Sequence, residues 1–80
     1  MPRYHLKTPK EVNGEAFNAI EFDELEVDQI IALSELDTRD VRALRAWLAG
    51  AVGVPEAVVG RLTMTDFRGL VEAATGGPLP

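Results

Sequence analysis

The chain has 80 residues, which is enough for one small domain, and it carries a net charge of -5. It contains no cysteine, which excludes disulfides and thiolate metal sites. Its 46% hydrophobic and 26% charged residues are ordinary for a globular protein and argue against wholesale disorder. We see no secretory signal and no apolar run of about 18 residues, so we expect neither secretion nor membrane insertion.

The first part of the sequence predicts a β-hairpin over residues 4–22. Tyr4–Lys7 is a short strand candidate and Ala16–Phe22 a longer one, and the Asn13-Gly14 pair between them tolerates the positive φ angles of a tight turn. Pro9 should end the first strand, because proline cannot donate to a sheet ladder. A hairpin alone is marginal in water, so its apolar side chains should pack against helices. These side chains are Leu6, Phe17 or Ile20, and Phe22.

An acidic segment follows the second strand and holds most of the excess negative charge. Its carboxylates include Glu21, Asp23, Glu24 and Glu26. Such a run repels a phosphate backbone, so nucleic acid is not an expected partner. Two interpretations stay open, namely a solvated surface and a contact with a basic site on another protein.

In residues 28–75 the apolar residues recur at helical spacing, which predicts three to four short helices. The first covers about residues 28–36 and should turn Ile30, Ile31, Leu33 and Leu36 toward the core. The second, over residues 37–53, should be the longest. Its apolar stripe is Val41, Leu44, Leu48, Ala51 and Val52.

Boundary signals mark the second helix and the two helices after it. We expect Asp37 or Thr38 to cap its start, and Gly53 to close it ahead of Pro55. A short helix then begins near Pro55, and Thr63 or Thr65 caps the last one. That helix carries Asp66 in its first turn and an apolar stripe of Phe67, Leu70, Val71 and Ala74. Residues 76–80 should form a flexible tail, so the fold class is α+β in a single domain over residues 1–80.

The sequence offers no constellation for catalysis, a cofactor or a metal. His5 is the single histidine and has no thiol to share a metal with, and Ser34 has no glycine elbow around it. We therefore expect no enzyme, no cofactor and no metal site. Trp47 lies beside the apolar stripe of the second helix and is either a partner-binding side chain or a half-buried residue that covers the hairpin. Three arginines, Arg39, Arg42 and Arg45, should be solvated or paired with carboxylates.

The order of these elements resembles one known family. A hairpin, a short helix and the segment ALRAWLAGAVGVPEAVVGRLTMTDFRGLVEAATGG over residues 43–77 are similar to the short tail assembly chaperones of Mu-like and P2-like bacteriophages. The resemblance implies a non-enzymatic protein of the host cytoplasm that binds the tape measure protein and helps recruit tail tube subunits. Self-association is a further expectation, because four short amphipathic elements leave a thin core. No membrane partner is expected.

Two sets of residues follow as partner-binding candidates. An apolar surface around Trp47, Phe67 and Val71 would shield a hydrophobic client from water. The alternative function is a small phage or prophage regulatory or inhibitor protein that acts on a host or competing-phage protein. That protein would use the acidic segment, Glu21, Asp23, Glu24 and Glu26.

Overall fold

The computed structural model describes residues 2–76 and has an α+β architecture, as predicted. A two-stranded antiparallel sheet precedes four helices. The elements are β1 (Arg3–Val12), β2 (Glu15–Glu21), α1 (Val27–Glu35), α2 (Val41–Val52), α3 (Glu56–Arg61) and α4 (Met64–Thr75). The predicted tail lies outside the described residues from position 77 onward.

The hairpin turn is the one predicted from the sequence. Asn13 has a φ of 53° and Gly14 a φ of 80°, the two positive angles that a tight two-residue hairpin turn requires. The prediction that Pro9 ends the first strand is wrong, since β1 continues to Val12. Pro9 is accommodated because its part of β1 does not pair regularly with β2.

An irregular bulge of four residues in β1 interrupts the pairing of the two strands. His5 pairs with Ala19 and Lys10 with Phe17, so the four residues 6–9 of β1 lie opposite the single residue Asn18 of β2. A bulge of this kind withdraws backbone N–H groups from the ladder and leaves them to find other acceptors. Here the N–H groups of Lys7 and Thr8 point away from β2 and toward α4.

The helix boundaries follow the sequence signals closely, and the largest shift is at the start of α2. Asp40, not Asp37 or Thr38, caps α2 by accepting from the N–H of Ala43. The shift occurs because Asp37 is already used in a preceding turn, where its carboxylate accepts from Arg39 N–H. Gly53 closes α2 in the left-handed conformation, and Thr63 caps α4. At 12 residues, α2 is as long as α4, so it is not the single longest helix.

The core lies between the hairpin and helices α2, α3 and α4. The hairpin supplies Leu6, Ile20 and Phe22, with Phe17 half-buried against them. The helices supply the remaining buried apolar residues, which are Leu48, Ala49, Val52, Val58, Val59, Phe67 and Leu70. Within residues 2–76, no helix has the length and apolar character needed to span a membrane.

Helix α1, unlike the other three helices and the hairpin, contributes no buried residue to the core. Ile31, predicted to face the core, is 49% exposed, while Ile30, Leu33 and Leu36 are half-buried. The prediction for Ile31 is wrong because the helix is covered on one side only, chiefly by α2. Val41 of the predicted α2 stripe is likewise 50% exposed, since it lies in the first turn at the edge of the core.

Candidate functional site

Trp47 is half-buried and holds α1 against α2. Its indole Nε1 donates to the backbone carbonyl of Gln29 at 2.9 Å. The ring also lines a shallow open groove between the two helices with Ala32, Ala46 and Ala51. A buried indole N–H normally has such an acceptor, so this contact explains the position of Trp47 without a partner.

The two other predicted apolar site residues lie on α4. Phe67 is buried, with 5% of its surface exposed, and Val71 is half-buried against the core. Phe67 lines a groove on the side of α2 that faces α3 and α4, whereas Trp47 lines the groove between α1 and α2. The structure therefore places Trp47 and Phe67 in separate grooves.

The acidic segment is exposed but partly engaged within the chain. Glu21 forms an ion pair with Arg3 across the hairpin, and the N–H of Glu26 donates to the Gln29 side chain at 2.8 Å in the first turn of α1. Asp23, Glu24 and Glu26 border a groove beside the C-terminal end of α2. Because a helix C-terminus carries partial negative charge, this end of the molecule has a concentrated negative potential.

The groove lined by Phe67 has an apolar floor and a basic rim. We call it the arginine-rimmed groove; its volume is about 260 Å³, and it is lined by Val41, Arg42, Arg45, Val59, Gly60, Leu62, Met64 and Phe67. Val41 and Met64 stand at its edge with half of their surfaces exposed, at 50% and 51%. Val59 and Phe67 are buried, so they form its floor.

Arg45 lies along the same groove and is incompletely paired. Its Nε is 3.7 Å from the Glu56 carboxylate, which is within ion-pair range but too long for a hydrogen bond. That Nε is buried and has no hydrogen-bond partner among the described residues. The Arg45 side chain passes over Gly60, where an added methyl group would lie 3.5 Å from Nη1.

The structure also shows a buried polar cluster around Asp66, a residue that the sequence marks only by its position in the first turn of a helix. Asp66 is completely buried. Its Oδ1 accepts from Lys7 N–H at 2.9 Å and from Tyr4 Oη at 3.0 Å, and its Oδ2 accepts from Thr8 N–H at 3.0 Å. The carboxylate thus receives the two backbone donors that the β1 bulge takes out of the sheet ladder.

Hydrogen bonding keeps Asp66 ionised in spite of its burial. Burial acts to raise the pKa of its carboxyl, but the hydrogen bonds from Lys7, Thr8, Tyr4 and Thr63 outweigh it and lower the pKa. The same contact raises the pKa of Tyr4, first through burial of the phenol and then through its bond to the neighbouring carboxylate. The cluster is therefore a structural tie between the hairpin and α4.

Gly69 allows Tyr4 to reach this cluster. It lies one turn after Asp66 on α4, and an added methyl group at Gly69 would lie 2.6 Å from the Tyr4 ring carbon Cζ and overlap the hydroxyl. The sequence holds one clue, since a glycine inside a helix is costly unless something packs closely against it.

Comparison with models of protein families gives a match over most of the chain. The family model described as "Phage tail assembly chaperone proteins, E, or 41 or 14" matches residues 3–76. This chain belongs to that family. The comparisons with curated proteins and with solved structures give no match.

The family match covers every element that builds the candidate surfaces of this tail assembly chaperone. It spans the hairpin, the Asp66 cluster and the arginine-rimmed groove. Over the described part of the chain, the chaperone has no group of three or more histidine, cysteine, aspartate or glutamate side chains arranged to hold a metal. Features of the described surface that suit a protein partner include the arginine-rimmed groove, the groove between α1 and α2, and the acidic segment.

Proposed function

We propose that this chain is a non-catalytic tail assembly chaperone of the host cytoplasm that binds the tape measure protein and helps recruit tail tube subunits. The family match over residues 3–76 carries the proposal. The exposed apolar side chains of α1, α2 and α4 support it, because a chaperone for a hydrophobic client needs surface that can replace water on that client.

The mechanism is reversible cover of apolar client surface. The described chain exposes four large apolar side chains, which are Val27 and Ile31 on α1, and Val41 and Met64 beside the arginine-rimmed groove. Contacts this small give modest affinity for each copy, so several copies along an extended client are needed to keep it soluble. Modest affinity also lets tube subunits displace the chaperone as the tail grows.

Co-expression with the tape measure protein encoded in the same phage genome tests the proposal. The tape measure protein should be recovered in the soluble fraction with tagged chaperone and should aggregate without it. Addition of the tail tube protein should release chaperone from the complex as tubes form. If the tape measure protein is equally insoluble with and without the chaperone, the proposal is wrong.

The acidic segment supports a second candidate, a regulatory or inhibitor protein that occupies a basic site on a host or competing-phage protein. Asp23 and Glu24 are exposed next to the negative end of α2, which concentrates charge of one sign. Neutralising Glu21, Asp23, Glu24 and Glu26 to their amides separates the two functions. The tape measure complex should survive this change, whereas an inhibitor that depends on the acidic segment should lose its target.

A further inference from the structure

Two of the four large apolar side chains exposed in the described chain flank one groove. Val41 and Met64 occupy the first turns of α2 and α4, and each is about half exposed at the edge of the arginine-rimmed groove. The other two, Val27 and Ile31, lie on α1 and away from this groove. Burying Val41 and Met64 over the already buried floor of the groove is the apolar gain that a partner would make here.

The arginine-rimmed groove is positively charged, whereas the molecule as a whole is negatively charged. The chain has a net charge of -5, yet the charged residues that line this groove are Arg42 and Arg45. Arg45 is held only by a long contact to Glu56, and its buried Nε lacks a hydrogen bond among the described residues. That Nε is shielded from solvent, but the Arg45 side chain as a whole is 42% exposed, so a carboxylate from a partner would pair with its exposed part and with Arg42.

The dimensions favour a side chain over a small molecule. At about 260 Å³ the groove is smaller than the roughly 300–1,000 Å³ of typical ligand pockets, and exposed side chains border it. Grooves of this shape between helices accept apolar side chains from an amphipathic helix, spaced three or four residues apart.

We propose that the arginine-rimmed groove seats an amphipathic helix of the client, which inserts apolar side chains between Val41 and Met64 and places a carboxylate against Arg42 and Arg45. This inference rests on the proposed function and specifies which surface performs it. The helical client segment is recognised by two features together, an apolar pair at helical spacing and an acidic residue within one turn of that pair.

Two matched pairs of variants test the surface in the co-expression assay. Met64→Glu places a charge at the groove edge, and Val27→Glu makes the same kind of change at a side chain that is 75% exposed on α1. Arg42→Glu reverses a rim charge, and Arg68→Glu gives the same net charge change at an exposed α4 residue outside the groove. All four variants should keep the circular dichroism spectrum of the parent, because the changed side chains are exposed.

We expect Met64→Glu and Arg42→Glu each to reduce recovered tape measure protein by about tenfold or more, as for side chains central to an interface. Val27→Glu and Arg68→Glu should leave recovery near the parent level. Recovery by the parent and by both groove variants would overturn this inference while leaving the proposed function intact. Failure of the parent itself would overturn both.

Overlapping synthetic peptides from the tape measure protein test the chemistry of the occupant. Peptides that bind the parent should combine apolar residues at helical spacing with an acidic residue, and replacing that acid by lysine should abolish binding. If peptides bind without regard to the acid, the arginine rim plays no part and the proposal is wrong. A change in the oligomeric mass of free chaperone on Met64→Glu would assign the groove to a second copy and overturn the client assignment.

Discussion

The junction between the hairpin and α4 and the packing of α1 on α2 are built in different ways. At the junction, a fully buried carboxylate ties α4 to three donors that lie more than 50 positions earlier in the chain. Helix α1 has no buried residue, and within residues 2–76 its side-chain hydrogen bond with α2 is the Trp47–Gln29 contact. The hairpin, α2, α3 and α4 share the buried core, and the Asp66 cluster ties the hairpin to α4; we call these elements the tied frame. Helix α1 lies outside the tied frame and is only weakly covered.

The difference indicates where the protein opens most easily. Segments with few buried apolar contacts open locally at low free energy, whereas a region that includes the core opens only with global unfolding. The arginine-rimmed groove is formed by α2, α3 and α4 and therefore belongs to the tied frame. The groove should keep its shape in the free protein, while α1 exchanges between packed and open states.

Removing the Asp66 carboxylate should give the largest effect. Asp66→Ala leaves the N–H groups of Lys7 and Thr8 and the Tyr4 hydroxyl without their acceptor in a buried site. We expect a loss of about 3 to 5 kcal/mol in the free energy of unfolding, measured by urea denaturation, because buried donors without partners are costly. The control Asp28→Ala, at an exposed first-turn residue of α1, should cost about 0.5 kcal/mol. Equal losses for the two variants would show that the Asp66 cluster does not hold the frame.

Two glycine-to-alanine substitutions should change the stability of the protein in opposite directions. Gly69→Ala pushes a methyl group into the Tyr4 ring and should destabilise the protein by about 1 to 3 kcal/mol through overpacking. Gly50→Ala in α2 meets no atom within 4 Å and should stabilise it by up to about 1 kcal/mol, because alanine is the better helix former. Thermal unfolding monitored by circular dichroism gives both values. A stabilising Gly69→Ala would mean that Tyr4 does not pack against α4 in solution.

Acid should weaken the tied frame through Asp66. Its pKa is lowered in the folded protein, so the unfolded chain takes up the proton first as the pH falls. The contribution is complete above the ordinary carboxyl pKa of about 3.9 and is lost as the pH falls through the lowered value. The melting temperature of Asp66→Asn should depend less on pH than that of the parent between about pH 5 and pH 2. If the melting temperatures of the variant and the parent change with pH in parallel, Asp66 is not the source of the acid sensitivity.

Trp47→Phe should affect α1 with little effect elsewhere. The change keeps an aromatic ring but removes the N–H that donates to Gln29. A loss of about 1 kcal/mol corresponds to roughly fivefold faster amide hydrogen exchange in residues 27–35. The exchange of core amides in α4 should stay at the parent rate. Uniform acceleration through the chain would show that α1 unfolds together with the frame.

Local signals predict much of this fold. The Asn13-Gly14 turn, the Gly53 terminus of α2 and the Thr63 cap of α4 all act within a few residues, so the sequence alone indicates them. The prediction for Ile31 is wrong because α1 carries apolar residues around much of its circumference, and periodicity does not say which side will be covered.

The contacts that define the tied frame lie beyond such signals. An aspartate in the first turn of a helix has an ordinary local explanation in the helix dipole, so Asp66 does not stand out in the sequence. Its partners lie in a strand bulge that appears only once the hairpin is folded and paired. Among the predicted apolar site residues, Phe67 does line the arginine-rimmed groove. Val41 and Met64 at its edge were missed as site residues because their exposure depends on how three helices meet.

Hydrogen exchange of the chaperone, alone and in complex with the tape measure protein, tests the central claim most directly. We predict new protection in residues 41–45 and 59–67, which surround the arginine-rimmed groove, and unchanged exchange in the hairpin. Protection confined to residues 21–28 would instead assign binding to the acidic segment. That result, or the absence of any protection, would contradict the role of the arginine-rimmed groove as the client-binding surface.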